Sequence, residues 1–156
     1  MTAPTTFALA LSNETATAHL MADLALLIGP GDVITLSGDL GAGKTAFAKA
    51  FAKALGVGED VTSPTFVIEK IYALQGQPWK HLVHIDAYRL EGGHELLSLG
   101  FEEMLRDPAH IILVEWPEIV PTAIPAGADL SLAFRFVDES VREVSYDTQS
   151  LLKTHA

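Results

Sequence analysis

The stretch that most narrows the fold is "DVITLSGDLGAGKTAFAKAFAKALG", Asp32 to Gly56. An apolar, β-branched run ending in glycine reads as a buried strand. A helix follows from Lys44 to Leu55, with Phe47, Phe51 and Leu55 on one face and Lys49 and Lys53 on another. Gly56 suits a left-handed cap at its end. Between strand and helix, Gly38, Gly43, Lys44 and Thr45 satisfy G-x-x-x-x-G-K-[ST]. With glycine at ~7% of residues and lysine at similar odds, a chance match is on the order of 1%. The physical reading is a phosphate cradle. Backbone N–H groups from Gly38 through Asp39, Leu40, Gly41, Ala42 and Gly43 converge on a β-phosphate, aided by the positive end of the helix. Lys44 then bridges the β- and γ-phosphates, and the Thr45 hydroxyl ligates Mg²⁺. Guanine-specific proteins of this kind read the base with an N-K-x-D loop. The single asparagine here, Asn13, precedes Glu14, so ATP is the expected nucleotide.

The rest of the chain surrounds that unit with short elements. "TFALALS" (Thr6–Ser12) reads as a strand. A helix then runs to about Gly29, capped by Ser12 or Asn13, with Leu20, Leu24 and Leu27 as its core stripe. "TFVIEKIYAL" and "HLVHIDAY" read as strands around the turn-rich "QGQPW". "HELLSLGFEEMLRD" gives one or two helical turns, and "HIILVE" is a buried strand. "DLSLAFRF" alternates, with Leu130, Leu132, Phe134 and Phe136 on one face, and "VREVSYD" returns from it as a hairpin. The expectation is an α/β protein: one P-loop domain over residues 1–156, a mixed β-sheet flanked by helices and ending in a β-hairpin.

Composition limits the partners. The 156 residues carry 20 acidic against 10 basic side chains, a formal charge of −10. Such a surface repels nucleic acid at long range, so any RNA would have to be held by a partner protein. The 49% hydrophobic content fits a chain with a real core. No cysteine is present, which removes disulfide and thiolate-metal chemistry. No basic, apolar leader and no run of ~20 apolar residues is visible, so a cytoplasmic protein is expected.

Three further motifs follow the cradle in order: "SPTF" (Ser63–Phe66), "HIDAYRL" (His84–Leu90) and "LVEWPE" (Leu113–Glu118). With "GDLGAGKT" before them, the chain resembles the bacterial TsaE (YjeE) family from about Asp32 to Glu118. The resemblance implies a small ATPase that assists synthesis of threonylcarbamoyladenosine in tRNA. It further implies docking on a TsaB–TsaD pair, which makes the transfer from an adenylate supplied by TsaC, with ATP hydrolysis resetting the complex and tRNA met only through the partners.

The resemblance also assigns roles. Glu115, at the carboxyl end of "HIILVE", stands where a Walker-B carboxylate emerges, to hold Mg²⁺ or to polarise the attacking water. Asp86, closing "HID", lies beside metal and γ-phosphate, although an aspartate there also suits a turn. Thr65 matches the switch threonine that senses the γ-phosphate through Mg²⁺. Trp116 matches the family tryptophan near the nucleotide, with a buried structural role as the alternative. The expected catalytic set is therefore Lys44, Glu115, Asp86 and Thr65, with Thr45, Glu115 and Asp86 on the metal. His84 is expected to support the switch, since His81, three positions away on a strand, points to the opposite face. Tyr88 and Arg89 are candidates for the partner surface. Glu102 and Glu103 match a second switch only in outline. Ala46 replaces the second threonine of the family's usual G-K-T-T, which removes a hydroxyl from the α-phosphate side. Two other functions fit the same cradle: a small-molecule kinase, and a nucleotide-gated binding module with negligible turnover. Four scattered arginines (Arg89, Arg106, Arg135, Arg142) argue against the arginine-rich lid that such kinases close.

Overall fold

The computed structural model describes residues 5–10, 14–29, 31–38, 44–59, 69–75, 80–92, 94–124 and 128–147. Its seven strands are β1 (Thr5–Ala10), β2 (Val33–Gly38), β3 (Glu69–Ala73), β4 (His81–Asp86), β5 (His110–Glu115), β6 (Leu130–Phe136) and β7 (Val141–Asp147). They form one sheet in the order β1-β7-β6-β2-β5-β4-β3. The centre is parallel: β6, β2, β5 and β4 run the same way. Antiparallel pairs complete both edges, β3 on β4 and β7 between β6 and β1. The expected hairpin is therefore built into the sheet, because β6 lies directly beside the strand that leads into the cradle.

Strands buried on both faces need apolar residues at nearly every position. The 3.4-Å alternation then sends odd and even positions to opposite layers. On one face Ile34, Leu36, Leu82, Ile111, Leu113 and Leu132 pack with helices α1 (Glu14–Leu26) and α2 (Lys44–Leu55). From α1 come Leu20, Met21 and Leu24; from α2, Phe47, Phe51 and Leu55. The other face gathers Val33, Val83, Ile85, Ile112 and Val114 under Leu96 of α3 (His94–Leu97) and Phe101 of α4 (Phe101–Arg106). In β6, Leu130, Leu132 and Phe134 are buried as the alternation predicts. Phe136 is 46% exposed at the strand end, where its ring lies under Arg142 instead. Among the described residues no helix is long and apolar enough to cross a membrane.

Two glycines close the elements around the cradle. Gly56 ends α2 at φ 101 and accepts from the Gln75 N–H, the cap expected of it. Gly38 ends β2 at φ 134, and a Cβ there would lie 2.3 Å from the Phe134 carbonyl oxygen. β6 thus approaches β2 closely enough to demand glycine. At the other end of that pairing Asp129 clamps Val33: its carboxylate accepts from the Val33 N–H at 2.8 Å, and its own N–H donates to the Val33 carbonyl. Buried Asp32 accepts from the Gly29 N–H at 2.6 Å and fixes the turn into β2.

Candidate functional site

β2, β4 and β5 end at one level. Leu36 and Asp86 are both register partners of Glu115, so the end of the strand before α2 and the two strand-end acidic residues lie at the same edge of the sheet. Ligands bind at this edge of parallel sheets, outside the carboxyl ends of the strands.

Lys44 is the first residue of α2 and only 5% exposed. A cation at a helix start opposes the helix dipole, and two contacts offset that. The ammonium donates to the Gly38 carbonyl and lies 3.3 Å from the centroid of the Trp116 ring. A desolvated cation–π contact of this kind contributes about 2 kcal/mol. Trp116 is held for the purpose by backbone. Among the described residues it is the one non-glycine residue with positive φ (60°), and its N–H donates to the Leu36 carbonyl at 3.1 Å. The left-handed turn costs about 1–2 kcal/mol, and such strain concentrates at functional sites. Tyr88 leans on the indole at 4.9 Å between ring centroids. Trp116 is half-buried, and its ring touches the Lys44 ammonium.

Glu115 is 3% exposed. That depth is not that of a solvated strand-end glutamate. Its Oε2 lies 2.6 Å from Nε2 of His84, itself 1% exposed, while His84 Nδ1 is buried with no hydrogen-bond partner. Because Asp86 sits opposite Glu115, His84 is the diagonal neighbour on the same face, within reach of a long side chain. Asp86 is half-buried and accepts from the Tyr88 N–H at 3.0 Å, so its turn role is real, and its backbone is the register partner of Glu115. His81 points away from His84, as expected, and its ring meets that of His110 at 5.5 Å.

Asp39, Leu40, Gly41, Ala42, Gly43 and Thr65 lie outside the described residues, as does the side chain of Thr45. Ala46 is exposed on the first turn of α2. Arg89 is exposed beyond β4, and Glu102 and Glu103 are exposed on α4, Glu102 being 3.9 Å from Arg106. Among the described residues no three His, Cys, Asp or Glu side chains converge on one point. The acidic residues paired at the strand ends, Asp86 and Glu115, are hard oxygen donors of the kind Mg²⁺ takes. The sequence did not reveal the His84–Glu115 contact. Its trace was present only in the aligned strand ends, Asp86 opposite Glu115 and His84 two residues earlier.

The fold is α/β, with a buried lysine at a helix start and an acidic pair on neighbouring strand ends, as in P-loop NTPase-like proteins. Residues 11–144 match the family described as "Threonylcarbamoyl adenosine biosynthesis protein TsaE". The chain belongs to the TsaE family. It is similar to three proteins each named tRNA threonylcarbamoyladenosine biosynthesis protein TsaE. That of Bacillus subtilis is 40% identical over 117 residues, covering 75% of this chain and 70% of the relative. The Streptomyces coelicolor protein is 47% identical over 61% of this chain and 63% of its own length. The Rickettsia felis protein is 37% identical over 91% of this chain and 80% of its own. Among solved structures, Bacillus subtilis YdiB superposes with a TM-score of 0.67 at 30% identity, covering 94% of this chain and 87% of that one.

Proposed function

We propose that this chain binds ATP with Mg²⁺ and hydrolyses it slowly, as an accessory to threonylcarbamoyladenosine formation in tRNA. The observation that carries the reading is the placement of Lys44 at the start of α2 against Trp116, the residue after Glu115, with Asp86 the register partner of Glu115 on the adjacent strand. Lys44 would leave the Gly38 carbonyl and the Trp116 ring for the β- and γ-phosphate oxygens. Thr45, Asp86 and Glu115 would hold Mg²⁺, which supplies charge neutralisation at the transferring phosphoryl group. Glu115, held by His84, would orient an attacking water. Thr65 would complete the switch.

The hydrolytic reading is favoured over a kinase because three arginines are engaged elsewhere: Arg106 beside Glu102, Arg135 on Glu143 and Arg142 on Phe136. None of the three is on a lid over Lys44. A binding module without turnover would not need a strand-end carboxylate held so firmly. The names of the relatives and the acidic surface support a place beside RNA-holding proteins, and the expected partners are a TsaB–TsaD pair in the cytoplasm. The test is ATP hydrolysis by the purified chain, alone and with that pair, using Lys44→Ala as control. Slow hydrolysis that rises with the pair and disappears in the variant supports the proposal. Removing a buried charged contact costs about 2–5 kcal/mol, so ATP binding should weaken at least ~30-fold in the variant. Unchanged affinity sinks the phosphate-cradle assignment.

A further inference from the structure

We propose that His84 is a positioning residue that sets the orientation of the Glu115 carboxylate; the inference rests on the hydrolytic reading above. A carboxylate has two oxygens, and its rotation decides which one meets metal or water. Here Oε2 is 2.6 Å from His84 Nε2, between side chains 3% and 1% exposed. A carboxylate accepts, so Nε2 carries the proton and donates. The opposite tautomer would set two lone pairs against each other at that distance. Nδ1 is then a bare acceptor, and it is buried without a partner.

Folding alone does not call for such a pair, since exchanging a buried polar pair for packed hydrocarbon is often neutral or stabilising. A layer made of Leu82, Ile111, Leu113 and Leu36 offers no reason to keep an imidazole and a carboxylate for packing. The pair makes sense if Oε2 must be occupied so that Oε1 is the oxygen presented to the crevice. Partners that orient the groups around a metal act in this way, and their loss typically lowers activity or metal affinity ~10–100-fold.

Two polar variants separate donor position from folding. His84→Gln carries an amide N–H about as far from the backbone as Nε2. His84→Asn is one methylene shorter and places its amide where Nδ1 lies. Both are measured for kcat and KM of ATP hydrolysis with the partner pair, and for unfolding midpoint. The expected result is kcat within a few-fold of wild type for Gln and ~10–100-fold lower for Asn. KM should be unchanged in both, because His84 stands behind Glu115 rather than on the phosphates. Independently of activity, imidazole ¹⁵N shifts of the nucleotide-free protein should show Nε2 protonated and Nδ1 bare, with the pattern disturbed by Glu115→Gln. Equal kcat losses in Gln and Asn, a fully active Asn variant, or a proton on Nδ1 would overturn the proposal. A wild type that hydrolyses nothing overturns the ATPase reading first and this one with it; active wild type with indifferent variants overturns this one alone.

Discussion

Gly38 is the first glycine of the phosphate motif, yet its most demanding neighbour is a strand. An alanine Cβ there would stand 2.3 Å from the Phe134 carbonyl oxygen and 3.1 Å from both its carbonyl carbon and its Cβ. Two of those three atoms are backbone, so no rotamer change relieves the contact. β2 and β6 would have to part by roughly 1 Å to restore van der Waals separation. The φ of 134° adds strain of about 1–3 kcal/mol for any residue with a side chain. Losing the last rung of the β2–β6 ladder adds about 1 kcal/mol. Gly38→Ala should therefore lose about 2–4 kcal/mol, or roughly 4–16 °C in Tm for a chain of this size. The assay is urea and thermal unfolding without nucleotide, followed by circular dichroism, with the urea m-value unchanged. Gly31→Ala is the control, because its φ is also positive (79°) but its Cβ would meet nothing closer than Pro108 Cα at 3.5 Å. It should cost about 1 kcal/mol, the strain alone. If Gly38→Ala unfolds at the wild-type midpoint, or no earlier than Gly31→Ala, the close approach of β6 is wrong.

Asp129→Ala strips the partner from the Val33 N–H and should cost about 1–3 kcal/mol, read as a lower urea midpoint; Asp129→Asn, which keeps an acceptor, should recover most of it. Glu69 opens β3 with Oε2 buried and unpaired, and burial raises its carboxyl above the ordinary 4.5, opposed more weakly by His110. A raised folded value means that its contribution is fully present below pH 4.5 and is lost as pH rises through the folded value. Glu69→Gln should therefore be more stable than wild type at pH 7 and no more stable near pH 4, seen as a difference in Tm that closes on acidification. Trp116 touches the Lys44 ammonium, so drawing that lysine onto phosphate should change the indole emission. Titration with ADP should give a saturable change in wild type and none in Lys44→Ala.

Local periodicity carried the reading a long way. The helix Lys44–Leu55 was legible to the residue, because glycines bound both ends and Phe47, Phe51 and Leu55 mark one face. The strand "HIILVE" was as plain, being apolar at every position between His110 and its glutamate. Order within the sheet was not legible. β6 pairs with β2 at residues 96 positions apart, and Val33 and Asp129 beside the pairing are as far apart; a pairing that long leaves no periodic trace. The same blindness hid the site's inner support. His84 and Glu115 were each visible as candidates, but their contact depends on the register that sets Asp86 opposite Glu115. Trp116 could be matched to its family position, whereas its left-handed backbone and its grip on Lys44 belong to the strand ends around it.

The sheet order has a consequence for synthesis on the ribosome. β2 emerges early, but one of its two neighbours, β6, is made about a hundred residues later, and β1 has no partner until β7 exists. At 5–20 residues per second that interval lasts on the order of 5–20 s. Throughout it the apolar edge of β2, with Ile34 and Leu36, stays open to pairing with other chains. The strand ends that carry Asp86 and Glu115 are thus made before β6, yet β2 between them and the β6–β7 pair gains its second neighbour only once β6 exists.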